Sequence, residues 1–174
     1  MEKTRLAFAS VSAASALVVL STVLWSFAKY PTEPAFGQRF VMDEIAVIPW
    51  LGVYYKPVTI LVVFAFMAWA CALESLRGLQ ERLSVRASRA LVIIFSIVAF
   101  VFAYEVIWNF VMWSDARILT PDVPVDLLSN TLDPSITQPR DFAFVTKVDS
   151  LYVAISLYSV AFIQTLRNAA LSSA

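Results

Sequence analysis

The chain has 174 residues, 60% of them hydrophobic and 15% charged, with a mean hydropathy of +0.75. Soluble domains run nearer to about 45–50% apolar and about 25% charged, so this composition excludes an ordinary soluble domain and predicts an integral membrane protein. Thirteen basic and thirteen acidic residues cancel, and net charge gives no argument for a nucleic-acid partner.

There is no histidine, and the single cysteine, Cys71, lies in an apolar run. The chain therefore offers no His-ligated haem, no histidine-based copper or zinc site, and no Ser-His-Asp or Cys-His nucleophile. An intrachain disulfide needs a second cysteine. Four-helix cytochrome b anchors require histidines, while quinone-linked disulfide enzymes and claudin-like proteins require cysteine pairs. This sequence has none of these.

Residues 6–28 are uncharged and follow Glu2, Lys3 and Arg5. The run is longer than the apolar core of a signal peptide and reads as a retained first span. Its first half is rich in small residues, with Ala9–Ala13, Ser10–Ala14 and Ser12–Ala16 each four apart. Such spacing predicts close approach of another helix.

Residues 29–56 form a connection with Pro31, Pro34, Pro49, Gly37 and Gly52, yet it also carries Ile45, Val47, Ile48, Trp50, Leu51, Tyr54 and Tyr55. That much apolar surface predicts a segment held at the membrane interface or against another protein. Asp43-Glu44 before Ile45 predicts a short amphipathic helix closing before Pro49. The second span covers 57–73, with Pro57 suited to a first helical turn. In the next segment, 74–89, Arg77 and Glu81 are spaced as an i,i+4 pair, and Ser84 or Ser88 is placed to cap the third helix.

The third span, 90–113, is the one with an ionisable residue in its interior: Glu105, with Asn109 one turn on. At 1.5 Å per residue its 24 residues reach roughly 36 Å, enough for a hydrocarbon core about 30 Å thick. Glu105 lies eight residues inside Trp113, roughly 12 Å deep. A carboxyl there is expected to face protein or a wet cavity.

Residues 114–140 are the second long connection, rich in proline and aspartate. Asp122, Asp126 and Asp133 lack the ligand rhythm and glycine of a calcium loop, so turn formation and solvation are predicted instead. The fourth span covers 148–166, strongest from Ser150, with helix beginning near Asp141. Asp149, Tyr152, Ser156 and Ser159 recur at spacings of three and four, which puts them on one face.

Four spans predict an all-α bundle of four transmembrane helices with two long extracytoplasmic loops, forming a single domain over 1–174. Both termini and the 74–89 turn then share a side with seven basic residues in short segments. The other side has six basic and nine acidic residues spread over two long loops. The density of basic residues predicts that the first side is cytoplasmic, and the lack of an N-x-Ser/Thr sequon at Asn109, Asn130 or Asn168 agrees with a prokaryotic or organellar membrane, of which a prokaryotic cell membrane is the one expected.

Trp25, Tyr30, Trp50, Tyr54, Tyr55, Trp108, Trp113 and Tyr152 all fall at the outer interface in this topology. Trp50, Tyr54, Tyr55, Trp108 and Trp113 are the candidate contacts with partner subunits. Glu105, Asn109, Tyr152 and Ser156 are the intramembrane polar candidates. Glu105 is expected at the depth of Ser156, with the polar faces of the third and fourth helices opposed as a hydrogen-bonded seam, a proton path or a headgroup site.

No catalytic residue, metal ligand or cofactor motif emerges. There is no Cys-x-x-Cys pair and no glycine-rich phosphate loop, and glycine and proline stay out of the apolar interiors, unlike the broken helices of many transporters. The function expected is a non-catalytic accessory subunit of a larger membrane complex, of which respiratory and membrane oxidase or monooxygenase assemblies are examples, with other integral membrane subunits and lipids as partners. Two alternatives stay open: a small oligomeric transporter or proton-conducting protein using Glu105, and a lipid- or quinone-binding subunit.

Overall fold

The computed structural model describes residues 2–29, 45–48, 53–80, 83–119 and 142–172. In chain order these form α1 (Glu2–Lys29), β1 (Ile45–Ile48), β2 (Val53–Tyr55), α2 (Pro57–Ser75), the single turn α3 (Arg77–Gln80), α4 (Val85–Leu119) and α5 (Phe142–Ser172). Four of them, α1, α2, α4 and α5, are long and apolar enough to cross a membrane. A backbone in hydrocarbon must satisfy its own hydrogen bonds, which is why long uninterrupted helices are the form these apolar runs take.

The ends follow local chemistry. Lys56 is extended (φ −69°, ψ 137°) and Pro57 opens α2, where its missing N–H costs nothing. Ser84 caps α4, its Oγ accepting from the Ala87 N–H at 3.2 Å, while Ser88 is buried within the helix. At the end of α2 the guanidinium Nε of Arg77 lies 3.5 Å from Glu74 Oε2, so Arg77 pairs one turn back; Glu81 lies outside the described residues.

The predicted helix after Asp43-Glu44 is not formed. Ile45–Ile48 is a strand antiparallel to Val53–Tyr55, pairing Ile45 with Tyr55, Ala46 with Tyr54 and Ile48 with Val53, with a register shift between Ala46 and Ile48. Apart from Ala46 both segments are β-branched or aromatic, and Pro49-Trp50-Leu51-Gly52 between them has turn composition. That chemistry outweighed the acidic pair as a helix start.

α1 packs along α2, α4 packs along α5, and a smaller seam between α2 and α5 joins the two pairs. α1 and α4 are thus the two ends of the series. The central helix is α5: 33% of its membrane-spanning window is buried, against 11, 6 and 6% for α1, α2 and α4. It is also the least apolar of the four, since the polar groups it carries are the ones the other helices cover. Leu151, Phe162 and Ile163 of α5, Ala99 of α4 and Val58 of α2 are the buried apolar side chains.

The α1–α2 interface uses small side chains, and of the expected set Ser12 is the member that bonds across it. Ser12 Oγ donates to the Ala68 carbonyl at 2.8 Å, and Ser15, Thr22 and Ser26 are buried. Ala9, Ser10, Ala13, Ala14 and Ala16 point away and are exposed. Both faces contain small residues, but the hydroxyls are concentrated on the packed one, with Ser10 the lone hydroxyl among the five exposed residues. A hydroxyl that satisfies a carbonyl across the seam, or the turn below it as Thr22 does with Val18 at 2.8 Å, adds a hydrogen bond to close packing.

Candidate functional site

Three polar layers cross the interior of the helices. Nearest to the N-terminus of α5, Lys147 Nζ donates to Thr59 Oγ1 of α2 at 3.2 Å. Two residues further on, Asp149 is 8% exposed and accepts from Asn109 Nδ2 of α4 at 3.4 Å. Deeper still, Trp69 Nε1 of α2 donates to Ser159 Oγ of α5 at 2.9 Å, and Ser159 donates onward to the Ile155 carbonyl at 2.8 Å. Each pair gives a polar atom in the span a partner, which lipid does not provide.

The two polar faces foreseen on the third and fourth spans meet through Asn109 and Asp149. Ser156 is buried, at 1% exposure, on the same side of α5 as Ser159. Tyr152 departs from that face: its ring is stacked on Phe102 at 4.5 Å and 17° and is 44% exposed. A ring of that size reaches past the short side chains around it to the edge of the α4–α5 groove.

Glu105 departs further, and in two ways. The antiparallel register set by Asn109 with Asp149 and Phe102 with Tyr152 brings Glu105 opposite the turn 149–153 of α5, not opposite Ser156. The displacement arises because α5 starts at Phe142, well before the apolar run from which its depth was judged. Second, Glu105 is exposed, not enclosed by the chain's own helices. The same register sets it near Asp149, but among the described residues no cation or hydrogen-bond donor meets it.

The side of α4 around Glu105 is aromatic. Tyr104 and Trp108 are both half-exposed and stack on each other at 6.4 Å and 13°. Other outer aromatics pair off separately: the Lys29 ammonium lies 4.8 Å from the Trp25 ring, and Trp113 is partly covered. Trp25, Trp108 and Tyr152 thus find partners within α1, within α4 and across α4–α5 respectively. Trp50 and Tyr30 lie outside the described residues, and Tyr54 and Tyr55 are placed by backbone pairing alone.

A second cluster, which sequence reading did not single out, closes the opposite end. Tyr158 OH donates to Glu74 Oε1 at 3.4 Å, Arg77 lies 5.6 Å from the Phe162 ring, and Phe66, Tyr158 and Phe162 are in ring contact. Gly78 lies directly against the Arg5 guanidinium, which a side chain there would displace. The available signal was Glu74 ending one apolar run with Tyr158 inside another. Since Arg77 and Glu74 are partly exposed, this pair fixes geometry more than it stabilises.

With four helices able to span a membrane, polar pairs between them and an uncovered carboxyl in the interior of α4, the chain has the features of a multi-pass helical membrane protein. Beyond that class, comparisons with known protein families, curated proteins and solved structures find no match.

Proposed function

We propose that the chain is a non-catalytic accessory subunit of a larger membrane protein assembly in a prokaryotic cell membrane, with both termini cytoplasmic. The observation that carries this reading is Glu105. A carboxyl exposed on a transmembrane helix is costly in lipid, and residues of this kind almost always face protein or water. The helices of this chain leave it uncovered, so a surface supplied from elsewhere is the economical way to accommodate it. The interfacial aromatics and the uncovered small-residue side of α1 add contact surface of the type helix partners use.

Purification in mild detergent with identification of what accompanies the chain tests the proposal. The expected result is a defined set of other integral membrane polypeptides in fixed proportion. A stable, active monomer would overturn it. Orientation is tested separately with Gln80→Cys and Leu128→Cys in a Cys71→Ser background. A membrane-impermeant thiol reagent should reach position 128 and not position 80 in intact cells.

The proximity of Glu105 to Asp149 favours one second reading, a proton-conducting homo-oligomer. In that case the purified chain alone should collapse a pH gradient across liposomes, and Glu105→Gln should abolish the leak.

A further inference from the structure

On α4 the uncovered side is continuous. Ile97, Val101, Tyr104, Trp108 and Met112 follow at spacings of four, three, four and four and are all exposed, between 40 and 58%. Residues at such spacings share a helix face. Glu105 borders this stripe between Val101 and Met112, next to Tyr104 in sequence and about one turn before Trp108. Lipid alone would suit the apolar members. It does not suit a carboxyl.

We infer that this face of α4 docks a transmembrane helix of a different polypeptide, and that this helix presents an arginine or lysine to Glu105. The inference rests on the subunit reading and specifies the chemistry of the partner. An ionised carboxyl within a span is stabilised by an opposite charge, and none of the described cations of this chain provides one: Lys147, the basic residue of α5 nearest in depth, is bonded to Thr59. The stacked rings of Tyr104 and Trp108 form an aromatic wall beside the carboxylate. A guanidinium bonds a carboxylate while stacking on an aromatic face, which makes arginine the better fit of the two cations.

A second copy of this chain fits poorly. Copies in one membrane share an orientation, so a two-fold axis along the membrane normal would bring Glu105 to the same depth as Glu105. Two carboxyls would then face each other, already beside Asp149, with no cation between them. A lipid headgroup amine would have to reach roughly 12 Å below the interface at 1.5 Å per helical residue, where its own desolvation opposes binding.

The test places a photoreactive benzoylphenylalanine at Val101 or Met112 of the full chain in the membranes of the source cell, with adducts mapped by peptide mass spectrometry. The expected adduct is an apolar span of one other polypeptide containing an arginine or lysine. Glu105→Gln should lower the yield several-fold and Glu105→Lys by about tenfold or more, the size expected when an intramembrane charge pair becomes a repulsion. Changing the partner's basic residue to glutamate should restore the yield in the Glu105→Lys chain, which a merely misfolded variant would not allow. Adducts only to this same chain, only to lipid, or to a span without a basic residue overturn the inference. If other polypeptides co-purify but neither probe reaches them, the α4 site fails and the subunit reading stands. If nothing co-purifies, both fail.

Discussion

Helices α4 and α5 each carry one carboxyl within the membrane-spanning region, and the two have opposite fates. Asp149 of α5 is buried and takes a hydrogen bond from Asn109. Glu105 of α4 is exposed beside two stacked aromatic rings. The residue chemistry is nearly the same, so the difference comes from position in the fold. α5 is the central helix, covered by α2 on one side and α4 on the other, whereas α4 packs mainly on α5 and meets α2 through the edge-to-face contact of Phe95 with Trp69. A polar group on a central helix serves internal cohesion; on a terminal helix it is available to something outside.

The comparison would break most clearly if the two carboxyls responded alike in the isolated chain. Asp149→Leu should destabilise it by about 2 kcal/mol, because Asn109 loses its partner inside a seam. Glu105→Leu in the same preparation should cost nothing measurable or raise stability slightly, since it removes an uncovered carboxyl next to Asp149. Reversible unfolding in detergent micelles compares the two directly. Equal losses would mean that α4 buries Glu105 after all.

A smaller effect sharpens the central role of α5. Trp69→Phe keeps most of the ring but leaves Ser159 without the indole donor, and should cost about 0.6–1.7 kcal/mol, the range of interhelical hydrogen bonds in membranes. The same substitution should separate the α1–α2 pair from the α4–α5 pair more readily than it loosens either pair internally, which interhelix distance measurements by paired spin labels would detect. A double-mutant cycle on Asn109 and Asp149 should return a coupling of about 0.6 kcal/mol. The smallest effect belongs to Tyr158→Phe, which removes a 3.4 Å bond to a partly exposed Glu74 and should shift stability by less than about 0.6 kcal/mol.

What was legible in the sequence was whatever the bilayer dictates. Uncharged runs of spanning length have to become helices, because no other open structure satisfies the backbone in hydrocarbon. The four helices, the proline start of α2, the Ser84 cap and the early start of α5 near Asp141 all follow from that and from end chemistry. The strand at Ile45–Ile48 was misread because an acidic pair before an apolar residue resembles a helix start, while the pairing segment that made it a strand lies several residues on. Arg77 pairs back to Glu74, while Glu81, its partner by i,i+4 spacing, lies outside the described residues.

Azimuth and neighbours, by contrast, came only from the tertiary structure. In a soluble helix, apolar and polar sides declare which face is buried. In a membrane, lipid is as apolar as a protein core, so the sequence of α4 does not say which side of it meets α5. That is why Glu105 was expected under cover and is exposed, why the alanines of α1 were expected at a seam that Ser12, Ser15, Thr22 and Ser26 occupy, and why Tyr152 leaves the face that Ser156 and Ser159 keep. Length and hydropathy determine that a segment crosses the bilayer; packing against specific neighbours determines which way its few polar side chains turn.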